Sequence, residues 1–344
     1  MIYKKIIYLC AVCFLMGAIQ AHSQSSLDLK LKGHIDLQDE KQKVYESHFT
    51  RFGLLDNSIY FTSDNPPSVS GYNINSGIQR FYLNLEGRGP DEINNLTDLT
   101  VEQNENRVYI LGFTGKIVGL DTSGKPVFED YPKVPRAKEF IKIGDEFWIA
   151  QESPGTKTYL VRTKESTKVT KPVGPEQVFE NIMFSAFKSS GTLNKINNQV
   201  YLTMPFGDKL YKISIDNYSV VDKIALDIPN FKQQSRTQKR NVYLNDPRQL
   251  KKFYTKNSTI TGLYNLGNRF AVEVIHTHDN YRRALIIFDR DFDYLCSGPL
   301  SEEVENLEDP EIQFTDGNNL YFYSETTKSD SVNKRLSYFY PECD

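Results

Sequence analysis

The chain has 344 residues, with 41 basic and 44 acidic side chains and a formal net charge of −3. A nucleic-acid-binding surface requires an excess of basic residues, and this composition does not supply one. The length would allow two domains, so the domain number must come from the pattern of the sequence.

The N-terminal segment 1–23 has the pattern of a cleaved export signal. Lys4 and Lys5 precede an apolar stretch from Ile6 to Ala21, and the small residue Ser23 follows closely. This order of charged, apolar and small residues is typical of secretory signals. We predict cleavage after Ser23 and a periplasmic or secreted protein. Loss of the two lysines leaves 39 basic and 44 acidic side chains, a net charge of −5.

Two cysteines in this segment, Cys10 and Cys13, raise the alternative of a lipid-anchored protein. Leu9 and Val12 precede them and are larger than the small residue that lipoprotein processing requires. Cleavage there would also leave almost no apolar core. The favoured prediction is a soluble exported protein without a membrane span, because no later segment approaches spanning length.

One short string recurs six times in the remaining chain: Asn or Asp, a polar residue, then three apolar residues of which the middle one is usually aromatic. The copies are Asn57-Ser58-Ile59-Tyr60-Phe61, Asn106-Arg107-Val108-Tyr109-Ile110, Asp145-Glu146-Phe147-Trp148-Ile149, Asn198-Gln199-Val200-Tyr201-Leu202, Asn268-Arg269-Phe270-Ala271-Val272 and Asn318-Asn319-Leu320-Tyr321-Phe322. The residues in the fourth column lie 49, 39, 53, 70 and 50 positions apart, which is the spacing of one propeller blade per repeat.

The apolar run in each copy indicates a strand that is buried on both faces. Neighbouring blades of a propeller provide that cover, and the leading Asn or Asp suits the tight turn before the strand because it tolerates left-handed backbone angles. A β-sandwich with coincidental turns is the weaker alternative. We predict an all-β six-bladed β-propeller over residues 24–344.

The last blade is predicted to be shared by the two ends of the chain. The blades are placed at about 45–86, 95–133, 137–172, 182–228, 258–297 and from 311 to the C-terminus. The sixth lacks an outer strand, whereas Leu27 to Lys32 alternates apolar and charged residues and has no blade of its own. We predict that this N-terminal strand closes the ring.

Three predicted crossings between blades contain Gly-Pro: Gly89-Pro90, Gly174-Pro175 and Gly298-Pro299. The first lies in a longer motif, Gly87-Arg88-Gly89-Pro90-Asp91-Glu92. Together with the six repeats and the export signal, this Gly-x-Gly-Pro-x-Glu motif resembles a Bacteroidetes family of exported six-bladed propellers described as TolB-like or NHL-like. The resemblance implies fold and compartment and carries over no catalytic residue.

The widest gap between copies of the string contains an insertion from about Pro229 to Thr261. It is rich in basic side chains, among them Lys232, Arg236, Lys239, Arg240, Arg248, Lys251 and Lys252. Asn245 as a cap and Pro247 in the first turn predict the start of a helix. The insertion is either a solvated loop or a surface over the central funnel that favours an acidic partner.

Cys296 and Cys343 remain after processing. An oxidising compartment favours a disulfide, but the predicted strands place Cys296 and Cys343 at opposite faces, about 20 Å apart. A disulfide requires β-carbons about 4 Å apart. The sequence therefore predicts two free or buried thiols.

Motifs of catalytic chemistry do not occur: there is no Gly-x-Ser-x-Gly, His-Glu-x-x-His or Walker loop. His276 and His278 have a spacing that metals can use, but too few partners to predict a metal site. We predict no catalytic residue, metal or cofactor, and a monomeric binding scaffold for a protein or small molecule. The alternative is a Ca²⁺-type hydrolase or lyase with its site in the central funnel.

Recognition is predicted on the face where outer strands cross to the next inner strand, because loops on that face are free to vary. The candidate binding residues are Arg88, Glu92, Phe113, Phe206, His276, His278 and Tyr281. Pairing of Arg88 with Glu92 or Asp91, which would only brace the crossing, is the favoured alternative for Arg88. The sequence does not predict the identity of the ligand.

Overall fold

The computed structural model describes residues 25–41, 51–87, 89–151, 158–164, 170–176, 192–196, 199–203, 207–233, 256–276, 282–300, 304, 311–328 and 331–344. In these ranges the chain forms six four-stranded antiparallel sheets. The prediction of an all-β six-bladed propeller is confirmed.

The first twelve strands begin and end as follows: β1 Leu27–Leu37, β2 Arg51–Leu55, β3 Ser58–Asp64, β4 Pro67–Asn73, β5 Gln79–Asn84, β6 Leu96–Glu102, β7 Arg107–Gly112, β8 Ile117–Leu120, β9 Pro126–Asp130, β10 Ala137–Ile143, β11 Glu146–Gln151 and β12 Thr158–Lys164. A single 3-10 turn, Gln103–Glu105, lies between β6 and β7 in this part of the chain. The other twelve strands are β13 Thr170–Glu176, β14 Leu193–Ile196, β15 Gln199–Thr203, β16 Lys209–Ser214, β17 Val220–Ala225, β18 Ser258–Asn265, β19 Arg269–His276, β20 Arg282–Asp289, β21 Tyr294–Pro299, β22 Ile312–Thr315, β23 Leu320–Lys328 and β24 Ser331–Cys343.

Five blades are built from consecutive strands. They are blade 1 (β2–β5), blade 2 (β6–β9), blade 3 (β10–β13), blade 4 (β14–β17) and blade 5 (β18–β21). Blade 6 contains β22, β23 and β24, with β1 as its outer strand. Each inner strand contacts the inner strand of the next blade, and β22 contacts β2. The inner strands therefore form a closed ring around the central channel.

The repeated string forms the second strand of every blade, and its three apolar columns face in two directions. In blade 1, Ile59 and Phe61 pack against blade 6, whereas Tyr60 packs against blade 2. In blade 3, Trp148 packs in the same way against blade 4. All four side chains are fully buried. Alternation along the strand thus places apolar residues in both blade interfaces, which explains why three consecutive positions are apolar.

The turn before this strand uses left-handed backbone angles, but only partly as predicted. Asn106 itself has φ 50°. In four other copies the preceding residue has the positive angle: Asp56 at 51°, Gly144 at 57°, Gly267 at 71° and Gly317 at 92°. The equivalent Asn198 lies outside the described residues. Two-residue turns need left-handed angles, and here glycine most often supplies them.

Two of the three Gly-Pro pairs lie within outer strands rather than in crossings. Pro175 is in β13 and Pro299 is the last residue of β21. An outer strand has an edge without a neighbour, so the missing N–H of proline costs it no ladder hydrogen bond. All three pairs were predicted to lie in crossings. The prediction is confirmed for Gly89-Pro90 and is wrong for the other two pairs.

Ring closure by the N-terminal strand is confirmed, and the strand is longer than predicted. β1 pairs with β24 from Leu27 opposite Cys343 to Leu37 opposite Lys334. Its ends also join both neighbouring blades, because Ser26 forms a bridge with Ser297 of blade 5. At the other end, Gln38 N donates to Gly77 O of blade 1 at 2.9 Å. We call residues 25–38 the closure strap.

Substitution of Gly77 by alanine is expected to destabilise the junction between the closure strap and blade 1. A β-carbon at Gly77 would overlap the carbonyl oxygen of Asp36, and the residue has φ +69°. Gly317→Ala is the matched control, since Gly317 has φ +92° but no neighbour within 4 Å of the added carbon. We expect a loss of about 1–2 kcal/mol for the control from the left-handed backbone, and about 3 kcal/mol for Gly77→Ala because a hydrogen bond is disturbed as well. Urea unfolding measures both, and equal losses would contradict the assignment.

Cys296 and Cys343 form a disulfide, so the prediction of two free or buried thiols is wrong. Their Cα atoms are 5.7 Å apart. The prediction placed Cys296 at the end of the outer strand, but β21 continues to Pro299. Cys296 is therefore in the first half of β21, near the face where β24 ends at Cys343. The sulfur atoms meet across the interface between blades 5 and 6.

Candidate functional site

The two faces of the propeller differ in the length of their connections. At the loop face, outer strands end and the next inner strands begin, and the chain segments that join them are 38–50, 85–95, 131–136, 177–192, 226–257 and 300–311. On the opposite turn face, the connections within blades are short turns, such as 56–57 before β3 and 74–78 before β5. Recognition residues concentrate in long loops on rigid scaffolds, so the loop face is the candidate site.

Inner strands begin at the loop face, and buried polar side chains lie at or near the start of the inner strands of blades 1 to 5. The buried members are Arg51, Thr97, Asp98, Lys138, Glu139, Thr192, Ser258, Thr259 and Thr261. We call them the polar ring. Buried polar groups are costly unless they are hydrogen-bonded, so the contacts of the ring decide whether it is structural or functional.

The polar ring connects neighbouring blades. Arg51 Nε of blade 1 lies 3.7 Å from Asp98 Oδ1 of blade 2. Phe140 N of blade 3 donates to Asp98 Oδ2 at 2.9 Å, and Thr192 Oγ1 donates to Glu139 Oε2 at 2.6 Å. The channel side of an inner strand has no neighbouring strand, and on β10 the Asp98 side chain of the preceding blade satisfies a backbone N–H there.

The same kind of link continues at blades 4, 5 and 6. Asn194 Nδ2 donates to Leu263 O at 3.0 Å. Tyr264 OH donates to Ile312 O, also at 3.0 Å. Side-chain bonds between inner strands therefore extend beyond the loop face and contribute to holding the ring together.

Asp98 and Glu139 are the electrostatically unusual members of the polar ring. Burial raises the pKa of Glu139 to about 8, and the nearby Asp98 charge adds to the effect. Burial raises the pKa of Asp98 to about 6, against the favourable charge of Arg51. Glu139 Oε1 has no hydrogen-bond partner among the described residues. At neutral pH Glu139 therefore holds a proton, which it can donate.

A second buried charge cluster lies between blade 5 and the crossing to blade 6. Arg283 Nη1 lies 3.0 Å from Glu273 Oε1, and its Nη2 lies 3.2 Å from Glu311 Oε1. The Tyr264 hydroxyl, which donates to Ile312 O, also lies 3.2 Å from Glu273 Oε2. Burial raises the pKa of Glu273, although Arg283 opposes the shift. One guanidinium thus fixes two carboxylates and braces the crossing.

Glu92, a predicted binding residue, is turned into its own loop. Its Oε2 accepts a hydrogen bond from Gly89 N at 2.5 Å. A β-carbon at Gly87 would overlap the Glu92 carboxyl group, and Lys116 Nζ donates to Gly89 O at 2.5 Å. The Gly-x-Gly-Pro-x-Glu motif is therefore a carboxylate-filled turn, in which glycine leaves room for the glutamate.

Phe113 and His276 are the other two predicted binding residues that the structure describes. The Phe113 ring lies 5.5 Å from Lys138 Nζ, and Phe113 N donates to Asn95 O in the crossing that contains Glu92. His276 is 7% exposed, with its Nδ1 3.0 Å from Ser258 Oγ. Glu92 and Phe113 thus belong to one region, whereas His276 belongs to blade 5.

Arg88, Phe206, His278 and Tyr281 lie outside the described residues, as do the predicted signal segment 1–23 and the predicted helix start at 245–250. The insertion is described only at 229–233 and 256–261, and its last four residues already belong to β18. Within the ranges that the structure describes, no three side chains of His, Cys, Asp or Glu are grouped to hold a metal. Nor does any described helix have the length and apolar character to cross a membrane.

Arg51, Asp98 and Glu139 are not among the residues predicted from the sequence. A weak signal was present, because Asp98 and Glu139 are acidic residues directly before an apolar residue, shortly after a predicted crossing. The repeated string could not identify these residues, because it marks the second strand of each blade and they lie on inner strands.

Comparison with known families decides the classification. Residues 72–319 match the model of the family DUF5128, described as a 6-bladed beta-propeller. The chain belongs to this family. The resemblance to Bacteroidetes propellers noted from the Gly-x-Gly-Pro-x-Glu motif is confirmed by this match and by the solved structures below. A search of curated proteins finds no match.

Two solved structures from Bacteroides share the fold of this family member. A predicted exported protein of Bacteroides fragilis is 12% identical, with a TM-score of 0.67 over 92% of this chain and 96% of its own. A DUF4221 family member from Bacteroides vulgatus is 10% identical, with a TM-score of 0.64 over 94% and 99%. At these identities the likeness concerns the fold alone.

Proposed function

We propose that the protein is a non-enzymatic binding scaffold of the bacterial envelope that recognises its ligand on the loop face. The difference in connection length carries this proposal, since the long segments 177–192 and 226–257 both join strand ends that lie at the loop face. Short turns on the other face offer little variable surface. A rigid ring with variable loops on one face suits recognition.

Export is supported by three independent features. Segment 1–23 has the pattern of a cleaved signal, and the structural relative from Bacteroides fragilis is described as a predicted exported protein. The Cys296–Cys343 disulfide favours an oxidising compartment. We infer a periplasmic or secreted protein, cleaved after Ser23, with a lipid anchor as the alternative.

The charges of the crossings are the basis for a proposal about the charge of the ligand. The crossing 226–257 has eight basic and two acidic residues, and the crossing 300–311 has six acidic and no basic residues. An acidic group of a protein or small molecule is the proposed target of the basic crossing. The acidic segment follows blade 5 in the chain whereas the basic segment precedes it, so we propose that a ligand with separated charges would match both.

Site-specific photo-cross-linking tests the proposed face. Benzoylphenylalanine is placed at His278, which is predicted to lie on the loop face, or at Ser123 on the turn face as the matched control. Each protein is illuminated in a Bacteroides cell-envelope extract. We expect a cross-linked product at position 278 that Tyr281→Ala weakens while the melting temperature is unchanged. Products at position 123 alone would contradict the proposed face. Stoichiometric Ca²⁺ or Zn²⁺ in the purified protein would instead support the hydrolase alternative.

A further inference from the structure

Two carboxyl groups are enclosed together where the inner strands of blades 2 and 3 begin. Asp98 is 9% exposed and Glu139 is 3% exposed. They are close in the structure, because Asp98 Oδ2 accepts a hydrogen bond from the backbone N–H of Phe140, the residue after Glu139. Glu139 in turn accepts from Thr192 at the start of blade 4. One pair of acids therefore joins three blades.

Among the residues that the structure describes, Arg51 is the cation that acts on both carboxyl groups of this pair. From β2, the Arg51 guanidinium lies 3.7 Å from Asp98. The segment before β14 presents the uncharged Thr192 hydroxyl, and Ala150 is opposite Glu139 on β11. On β10 itself, the Lys138 ammonium lies over the Phe113 ring. Two buried like charges beside one guanidinium do not ionise together near neutral pH.

The environment of one Glu139 oxygen atom, Oε1, independently indicates that this carboxyl group is protonated. Glu139 Oε1 is buried and has no hydrogen-bond partner among the described residues, whereas Oε2 accepts from Thr192. An ionised oxygen without a partner is far more costly to bury than a neutral one. Glu139 therefore carries the proton of the pair and Asp98 carries the charge.

We propose that Asp98 and Glu139 form a proton-linked latch between the inner strands of blades 2, 3 and 4, closed while Glu139 is protonated and weakened when it ionises. The latch adds a response to external pH that the binding function alone does not require. In the folded protein the pKa of Glu139 is raised to about 8 from its ordinary 4.5. A raised carboxyl pKa stabilises the fold below the ordinary value, and this stability is lost as pH rises to about 8.

Unfolding of the wild type and of Glu139→Gln over pH 5–9 tests the latch. The glutamine keeps the shape of a neutral carboxyl and does not titrate. Between pH 5 and 8 the folded wild type holds one proton that the unfolded chain has released. The ratio of the two unfolding constants, wild type over variant, is thus expected to rise about tenfold per pH unit and to become constant above about pH 8. A ratio independent of pH would overturn the proposal.

Two further variants keep the test decisive if Glu139→Gln folds poorly. Asp98→Asn removes the neighbouring charge, so the pH at which stability stops falling is expected to decrease by about one unit or more. Glu86→Gln, at an exposed carboxyl, is the matched control and should leave the profile of the wild type unchanged. Amide hydrogen exchange of the peptide 137–143 measures the latch locally. Above pH 8, the exchange rate of the wild type should increase by more than the intrinsic pH dependence of amide exchange. A profile that Asp98→Asn does not move would refute the latch.

Discussion

Deletion of residues 24–37 is expected to unfold the propeller or make it insoluble, although these residues precede every repeat. β1 pairs with β24 from Leu27 to Leu37, with one register shift between Leu31 and Gly33, and buries Leu29 and Leu37, which are 5% and 6% exposed. Truncating one buried leucine costs about 2–5 kcal/mol, so the two together approach the total stability of about 5–15 kcal/mol. The deletion also exposes the edge of β24, which promotes aggregation. Thermal melts by circular dichroism and sedimentation measure the outcome.

Two single substitutions on β1 distinguish a specific contribution of the closure strap to stability from a general effect of removing the N-terminus. Leu29 is 5% exposed and Leu31 is 44% exposed on the same strand. We expect Leu29→Ala to lose about 2–5 kcal/mol and Leu31→Ala less than about 1 kcal/mol. A truncated protein that melts like the full-length one, or equal small losses for both leucines, would show that β1 does not close the ring.

The fold could be predicted because the repeated string is a local signal of a global arrangement. Tyr60 and Trp148 occupy equivalent columns and both pack against the following blade. Alternation within one strand therefore reports two interfaces at once. The closure strap was predictable for a related reason, since the alternation in Leu27 to Lys32 left a strand without a blade.

The polar ring could not be predicted in the same way, because its contacts join residues far apart in sequence. Glu139 and Thr192 are separated by a whole blade of sequence, and Arg51 and Asp98 meet only when the inner strands come together. Each member of the polar ring is a single polar residue near the start of a short strand. The local sequence pattern there does not indicate which residues it contacts. The pairing of Asp98 with a backbone N–H of the next blade depends on the curvature of the ring.

The distance predicted between Cys296 and Cys343 depends strongly on where the strand β21 is taken to end. Ending β21 near Cys296 places this residue at the loop face, whereas the strand continues to Pro299 and places it nearer the turn face. A shift of three residues moves a strand position by about 10 Å. That distance is enough to change a predicted pair of thiols into a disulfide.

Substitution Cys343→Ser is expected to lower the free energy of unfolding by about 4 kcal/mol, because the disulfide closes a loop of 47 residues and restricts the unfolded chain accordingly. Dithiothreitol should have the same effect on the wild type and no further effect on the variant. Urea unfolding with and without reductant measures both, and the double variant C296A/C343S should match Cys343→Ser to within about 1 kcal/mol, as a loss through the disulfide requires. Alkylation of denatured, unreduced wild type should add no mass at Cys296 or Cys343. Two alkylated cysteines would show that the bond is not formed, and the closure of blade 6 would then depend on the pairing of β1 with β24 alone.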